Sequence, residues 1–279
     1  MKINSELPNS MLEYNEQLNE YDFVLFHLYK TDENYRNYYL NMRKNHPDRL
    51  MILDNSAYEF YVKNEELDPI EYRKCICELK PDLYILPDVL MNKEITLKHT
   101  LRFSLMILAS HQRDILLHCK PLAVAQGVSE EELLDCMHIY LSRNIKQVCI
   151  PFHNSFFKEM GKYADEDIQN EFAVTYNQPV NEDMLYAMGR IQFVRNNFDL
   201  LKQFEHVHFL GSHCPLEKVF YKDFNTMDTG YPVKCGIEGV ELFKEISKPN
   251  IIIDEFLNKE LDVYTKEMII NNVEKFKAL

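Results

Sequence analysis

Short apolar runs of five or six residues recur eight times along this chain of 279 residues, and nearly all are followed by a stretch of helical length. They fall at 23–28 (FVLFHL), 50–54 (LMILD), 83–87 (LYILP), 121–126 (PLAVAQ), 147–151 (QVCIP), 206–210 (HVHFL), 224–228 (FNTMD) and 249–253 (PNIII). Near-continuous apolar character in such short pieces is the pattern of strands covered on both faces, as in a parallel sheet. The intervening segments carry helix-start chemistry. Asp68-Pro69-Ile70-Glu71 supplies a cap, an N1 proline and an acid in the first turn, and Ser129 with Glu132 forms a capping box. Long helical stretches are also expected near 92–112, 182–204 and 256–277. Eight strand–helix alternations predict an α/β chain that folds as a single (β/α)8 barrel domain over residues 1–279. A doubly wound open sheet is the alternative arrangement. The stretch 154–181 interrupts the rhythm and is expected to be an irregular insertion.

Charge narrows the classes of function. Lys plus Arg is 31 and Asp plus Glu is 44, a formal net charge of −13. Proteins that coat nucleic acid by bulk charge are basic, so any nucleic-acid contact here needs a local patch. The opening MKINSELPNSMLEYNEQ has no apolar core of signal-peptide kind, and no apolar run is long enough to span a bilayer. Seven scattered cysteines suit reduced thiols, so a cytoplasmic chain with no membrane association is expected. There is no Walker loop, and Gly236-Ile237-Glu238-Gly239 is not a dinucleotide fingerprint, so no cofactor is implied.

Reactive residues gather at the ends of the runs. Asp54 ends the second, Asp88 follows the third, Gln126 ends the fourth, His153 follows the fifth, Gly211 the sixth, and Asp228 ends the seventh. Barrel enzymes collect their catalytic groups at the C-terminal ends of strands, so these six are expected to share one rim. Any one of them could instead be the Asp or Gly that commonly punctuates a turn.

Over about 50–240 the motifs resemble, in matching order, those of the tRNA-guanine transglycosylases and the related DNA 7-deazaguanine transglycosylases. Asp54-Asn55-Ser56-Ala57-Tyr58-Glu59 resembles D-S-G-G-F/Y-Q, and Leu86-Pro87-Asp88 falls where the family has its next Asp. Val124-Ala125-Gln126-Gly127 resembles V-Q-G-G, Leu210-Gly211-Ser212-His213-Cys214-Pro215-Leu216-Glu217 resembles M-G-V-G-T-P-E-D, and Thr226-Met227-Asp228-Thr229-Gly230-Tyr231-Pro232 resembles M-F-D-C-V-x-P. The departures are Ser56-Ala57 in place of Gly-Gly and Val128 in place of the second Gly after Gln126. The C-x-C-x-x-C…H zinc subdomain of the tRNA enzymes has no counterpart. Cys75 and Cys77 lie in an expected helix, where residues two apart do not face each other, so no metal is expected.

The resemblance implies a base exchange that breaks one N-glycosidic bond and forms another through a covalent sugar–enzyme intermediate. Asp228 would be the nucleophile and Asp54 the acid/base, tasks that retaining glycosidases divide between two carboxyls. Asp88, Gln126 and the Gly127 backbone would read a guanine-like base, and Tyr58 would stack on it. Gly211, Tyr231 and His153 complete the expected substrate contacts. The chain lacks the zinc subdomain, so the implied substrate is guanine in DNA in preference to tRNA, exchanged for a free 7-deazaguanine base. The oligomeric state is not legible. Two other functions fit the same residues: hydrolysis of an N-glycosidic bond in a nucleoside, nucleotide or modified base, and a non-catalytic barrel that binds a nucleoside or a protein partner.

Two further features have ordinary readings. His206 and His208 share one face of a strand, which could suit a metal but more commonly marks hydrogen-bonded or surface histidines. Arg36, Arg43, Lys44, His46 and Arg49, interleaved with Tyr35, Tyr38 and Tyr39, form the one candidate phosphate-binding patch; a solvated helix face is the competing reading.

Overall fold

The computed structural model describes residues 1–110, 118–152, 155–176, 180–242 and 257–279. Its strands are β1 (Lys2–Ser5), β2 (Asp22–Leu25), β3 (Met51–Asp54), β4 (Leu83–Ile85), β5 (Lys120–Val124), β6 (Gln147–Pro151), β7 (His206–Leu210) and β8 (Thr226–Thr229). They form one sheet in the order β1-β8-β7-β6-β5-β4-β3-β2, in which β1–β8, β2–β3, β3–β4, β4–β5, β5–β6 and β7–β8 run parallel. The order runs without the reversal of a doubly wound sheet, and helices alternate with the strands, so the fold is a (β/α)8 barrel.

Seven of the eight expected runs coincide with strands β2 to β8, and the run at 249–253 lies outside the described residues. The first strand, Lys2–Ser5, was not among the expected ones. Its one apolar side chain is Ile3, while Asn4 and Ser5 are buried polar residues and Ser5 is held through its backbone. The Ser5 amide donates to Asn19 Oδ1 at 2.6 Å, while Asn19 Nδ2 donates to Ser5 O at 3.0 Å and Asn15 Oδ1 at 2.8 Å. A polar strand of this kind carries no hydrophobic signature.

The chain packs as two compact units, a central one over Tyr21–Cys149 and a terminal one made of Met1–Glu20 and Ile150–Leu279. In the central unit the helix Pro69–Leu79 is capped by Asp68, which accepts from the amides of Ile70 and Glu71. From that helix the buried Tyr72 hydroxyl donates to Ile85 O at 2.7 Å and Leu53 O at 3.2 Å, tying it to β4 and β3. Ser129 caps Glu130–Ser142, whose Tyr140 hydroxyl donates to Val124 O of β5 at 2.7 Å. Glu132 reaches back to the Val128 amide at 2.7 Å, one residue before the usual capping-box partner.

In the terminal unit the stretch 154–181 is a correction. Its described residues form the helices Ser155–Gly161 and Glu166–Tyr176. The reason was present in the sequence, because Ile168, Phe172 and Tyr176 repeat every four residues and are buried together along one face. The expected helix at 182–204 divides into Glu182–Asn196 and Phe198–Leu201. Helices Ser155–Gly161 and Glu182–Asn196 touch at glycine. A Cβ on Gly189 would sit 1.7 Å from Phe157 O, and one on Gly161 would sit 2.0 Å from Leu185 O, so the two backbones meet directly. Among the described residues no helix is long and apolar enough to cross a membrane.

Candidate active site

In the terminal unit the chemistry centres on Asp228, near the C-terminal end of β8 and 3% exposed. Gly211, just past β7, donates its amide to both carboxylate oxygens at 3.1 Å. Gly211 has φ 60, a conformation that favours glycine and turns this N–H onto Asp228. His208 Nε2 lies 3.0 Å from Asp228 Oδ1, and its Nδ1 lies 2.9 Å from Thr226 Oγ1. Complete burial pushes the His208 imidazole down to about 3, so it is neutral at physiological pH. A neutral ring has one donor. With that proton on Nε2, facing the carboxylate, Nδ1 accepts from Thr226, whose hydroxyl oxygen accepts from His206 Nε2 at 2.7 Å. The four side chains form a hydrogen-bonded chain with one consistent sense. The expected H-x-H thus spends ring nitrogens on Thr226 and Asp228, on β7, the seventh strand of the fold and the sixth of the expected runs.

A second carboxyl, Glu6, hydrogen-bonds to the Asp228 side chain. Glu6 immediately follows β1, and its amide donates to Thr229 O at 3.0 Å; the β1–β8 register sets Asn4 beside Asp228. Both carboxyls are raised above their ordinary range, first by burial, and Glu6 further by the charge of Asp228. Gly211 and Arg190 pull Asp228 back toward the ionised form.

Beneath Gly211 lies a fully buried ion pair. Arg190 Nε meets Glu217 Oε1 at 2.7 Å with both side chains at zero exposure. The guanidinium also donates to Leu210 O at 2.9 Å and Gly211 O at 2.7 Å, and it lies 4.7 Å from the centre of the Phe152 ring. Glu217 further accepts from Ser212 Oγ at 2.5 Å and Tyr221 OH at 3.0 Å. Arg190 therefore fixes the turn whose amide holds Asp228. Tyr231 opens the helix after β8, buried at 2% exposure with its ring near that of His213. His153 lies outside the described residues.

In the central unit Asp54 ends β3, and its Oδ2 accepts the Ser56 amide at 2.7 Å. Ser56, standing where the resembling motif has its first Gly, has φ 58, in the left-handed region that glycine favours. Ser56 is completely buried, and its hydroxyl meets the His27 amide at 3.1 Å and His27 Nδ1 at 2.9 Å. Tyr58 is 46% exposed in the short helix that follows, as a stacking face requires.

Asp88, just past β4, is the acceptor of a tight polar cluster. Asn55 Nδ2 donates to its Oδ1 and Gln126 Nε2 to its Oδ2, each at 2.7 Å. Burial raises the Asp88 carboxyl, and these two donors oppose the rise. Gln126 is buried, and its Oε1 accepts the Met91 amide at 2.9 Å. Asn55, Asp88 and Gln126 thus come together in one unit. A carboxylate with spare lone pairs beside a primary amide with a spare N–H matches the donor–acceptor edge of a purine. Gly127 has a packing reason of its own, since a Cβ there would lie 2.5 Å from Glu132 Cβ.

In the candidate basic patch two cations are engaged by acids. Arg43 is tied to Asp82 at 2.8 Å and Arg49 to Asp22 at 3.0 Å, and Tyr35 and Tyr39 are buried. Sequence reasoning also missed Glu6 and Arg190. Glu6 follows the strand without an apolar signature. Arg190, however, interrupts the apolar run MLYAMGRIQFV, and a lone charge in such a run signals a buried pair. No protein-family model matches this chain, and no curated protein does.

Proposed function

We propose that this chain is a base-exchanging transglycosylase that replaces guanine in DNA, in preference to tRNA, with a 7-deazaguanine base in the cytoplasm. The observation that carries the reading is the setting of Asp228. Its two oxygens are held by a glycine amide and a neutral imidazole at the C-terminal end of a barrel strand. A nucleophilic carboxylate needs to be oriented in this way without being neutralised by a cation. Asp228 attacks C1′ as the C1′–N bond to guanine breaks, with the electron pair leaving on the base. The incoming base then displaces Asp228 from C1′. Asp54 serves as the proton carrier, and Asp88 with Gln126 reads the base. The five motifs in family order support the assignment. A second reading, hydrolysis of a free nucleoside or nucleotide, is favoured by the net charge of −13 and by the pairing of Arg43 and Arg49 with acids.

The test is incubation of the protein with guanine-labelled DNA, tRNA and nucleosides, with and without an added deazaguanine. Label release that depends on the added base, with a covalent adduct on Asp228 that Asp228→Asn abolishes, is the expected result. Release of guanine without exchange turns the assignment to the hydrolase, and binding without turnover refutes catalysis.

A further inference from the structure

Two carboxyl groups within hydrogen-bonding distance cannot both be ionised without strong repulsion, and a hydrogen bond between them requires a proton on one. The β1–β8 pairing sets Asn4 beside Asp228, the Glu6 amide donates to Thr229 O, and the Glu6 carboxyl interacts with that of Asp228 in unequal surroundings. Asp228 receives the Gly211 amide on both oxygens and His208 Nε2 on one, all donors that favour its charged form. Glu6 has the Lys234 ammonium as its nearby charge of opposite sign. Gly230 leaves the room that brings Glu6 in. A Cβ at that position would lie 3.2 Å from Glu6 Oε2 and 3.3 Å from Lys234 Cε.

We propose that Glu6 is the positioning acid of the Asp228 site: it keeps the pair's single proton and donates it in a hydrogen bond to the ionised Asp228. This rests on the assignment of Asp228 as nucleophile. During exchange the Glu6 proton is not transferred. Its hydrogen bond lengthens while Asp228 is esterified to C1′ and shortens when the C1′–O bond breaks and the electron pair returns to Asp228. Glu6 thereby stabilises the departing carboxylate in the second displacement. The groups facing the pair are Lys234, His208, Arg190 and the Gly211 amide.

Two measurements test this without any substrate. The first is the infrared difference between wild type and Glu6→Gln at neutral pH, where a protonated-carboxyl band present only in the wild type is expected. An identical carbonyl region in the two proteins overturns the proposal. The second is thermal unfolding of the wild type and Glu6→Gln between pH 4.5 and about 8, the ordinary and the folded values of the Glu6 carboxyl. Carboxyls raised in the folded state stabilise it below their ordinary range and lose that contribution as pH rises through the folded value. The stability advantage of the wild type over Glu6→Gln is therefore expected to shrink over that span, and a constant difference overturns the proposal. Where adduct formation on Asp228 is observed, Glu6→Ala slows its resolution by on the order of 100-fold, and Glu6→Gln, which keeps an N–H donor, by much less. Failure of all adduct formation, with the infrared and thermal results intact, refutes the transglycosylase assignment and leaves the proton-sharing pair standing.

Discussion

Replacing Arg190 with Met should destabilise the protein severely for a reason that can be counted. The guanidinium is fully buried, pairs with an equally buried Glu217 at 2.7 Å, and donates to the backbone carbonyls of Ile150, Leu210 and Gly211 at 3.4, 2.9 and 2.7 Å. Methionine fills similar space but leaves the Glu217 charge without its counter-ion. Removing one partner of a buried pair costs about 3–5 kcal/mol. The orphaned carbonyls add at most about 1 kcal/mol each, and not additively. A loss near 4 kcal/mol corresponds to a fall in Tm of roughly 8–16 °C for a chain of this size. Circular dichroism during heating and urea titration would both read it. The double variant Arg190→Met, Glu217→Gln should recover much of the loss, because no uncompensated charge remains. A single-variant loss below about 1 kcal/mol, or a double variant no better than the single, would refute the reasoning.

Two further outcomes follow from the local geometry. Ser56→Gly removes the left-handed strain at φ 58 and Ser56→Ala retains it, while both lose the hydroxyl bonds to His27. The Gly variant should exceed the Ala variant in stability by about 1 kcal/mol by urea titration, and the reverse order would contradict the strain argument. His208 is held neutral, down from 6.5 to about 3, so its contribution is present above pH 6.5 and is lost as pH falls toward 3. In His208→Gln that part of the acid dependence should vanish, so the stability gap between the two proteins narrows on acidification; a constant gap would show that the imidazole does not titrate between the two states.

What the sequence made legible is what local chemistry controls. Seven of the apolar runs became strands because burial on both faces demands them, and Asp68 and Ser129 became caps because their side chains find amides two or three residues on. Asp54, Asp88 and Asp228 could be singled out because they punctuate strand ends. What stayed hidden depends on distant partners. Asn4 and Ser5 form a strand because Asn19, itself held by Asn15, satisfies the Ser5 backbone and Thr226–Thr229 lies alongside. Arg43 and Arg49 looked like a free cationic face until Asp82 and Asp22, 39 and 27 positions away, proved to engage them. Glu6 lies more than two hundred residues from Asp228 along the chain, and neither composition nor spacing joins them.

The bond between Leu210 and Gly211 has a consequence for the electronics of Asp228. Arg190 donates to the carbonyl oxygen of that bond, and Asp228 accepts from its nitrogen. The two ends belong to one conjugated, planar amide. A cation on the oxygen draws electron density out of the nitrogen and leaves its hydrogen more acidic, so the buried positive charge reaches the carboxylate through resonance without touching it. The same rigid plane converts any displacement of the guanidinium into a tilt of the N–H, which couples the interior of a helix to the aim of a single carboxylate.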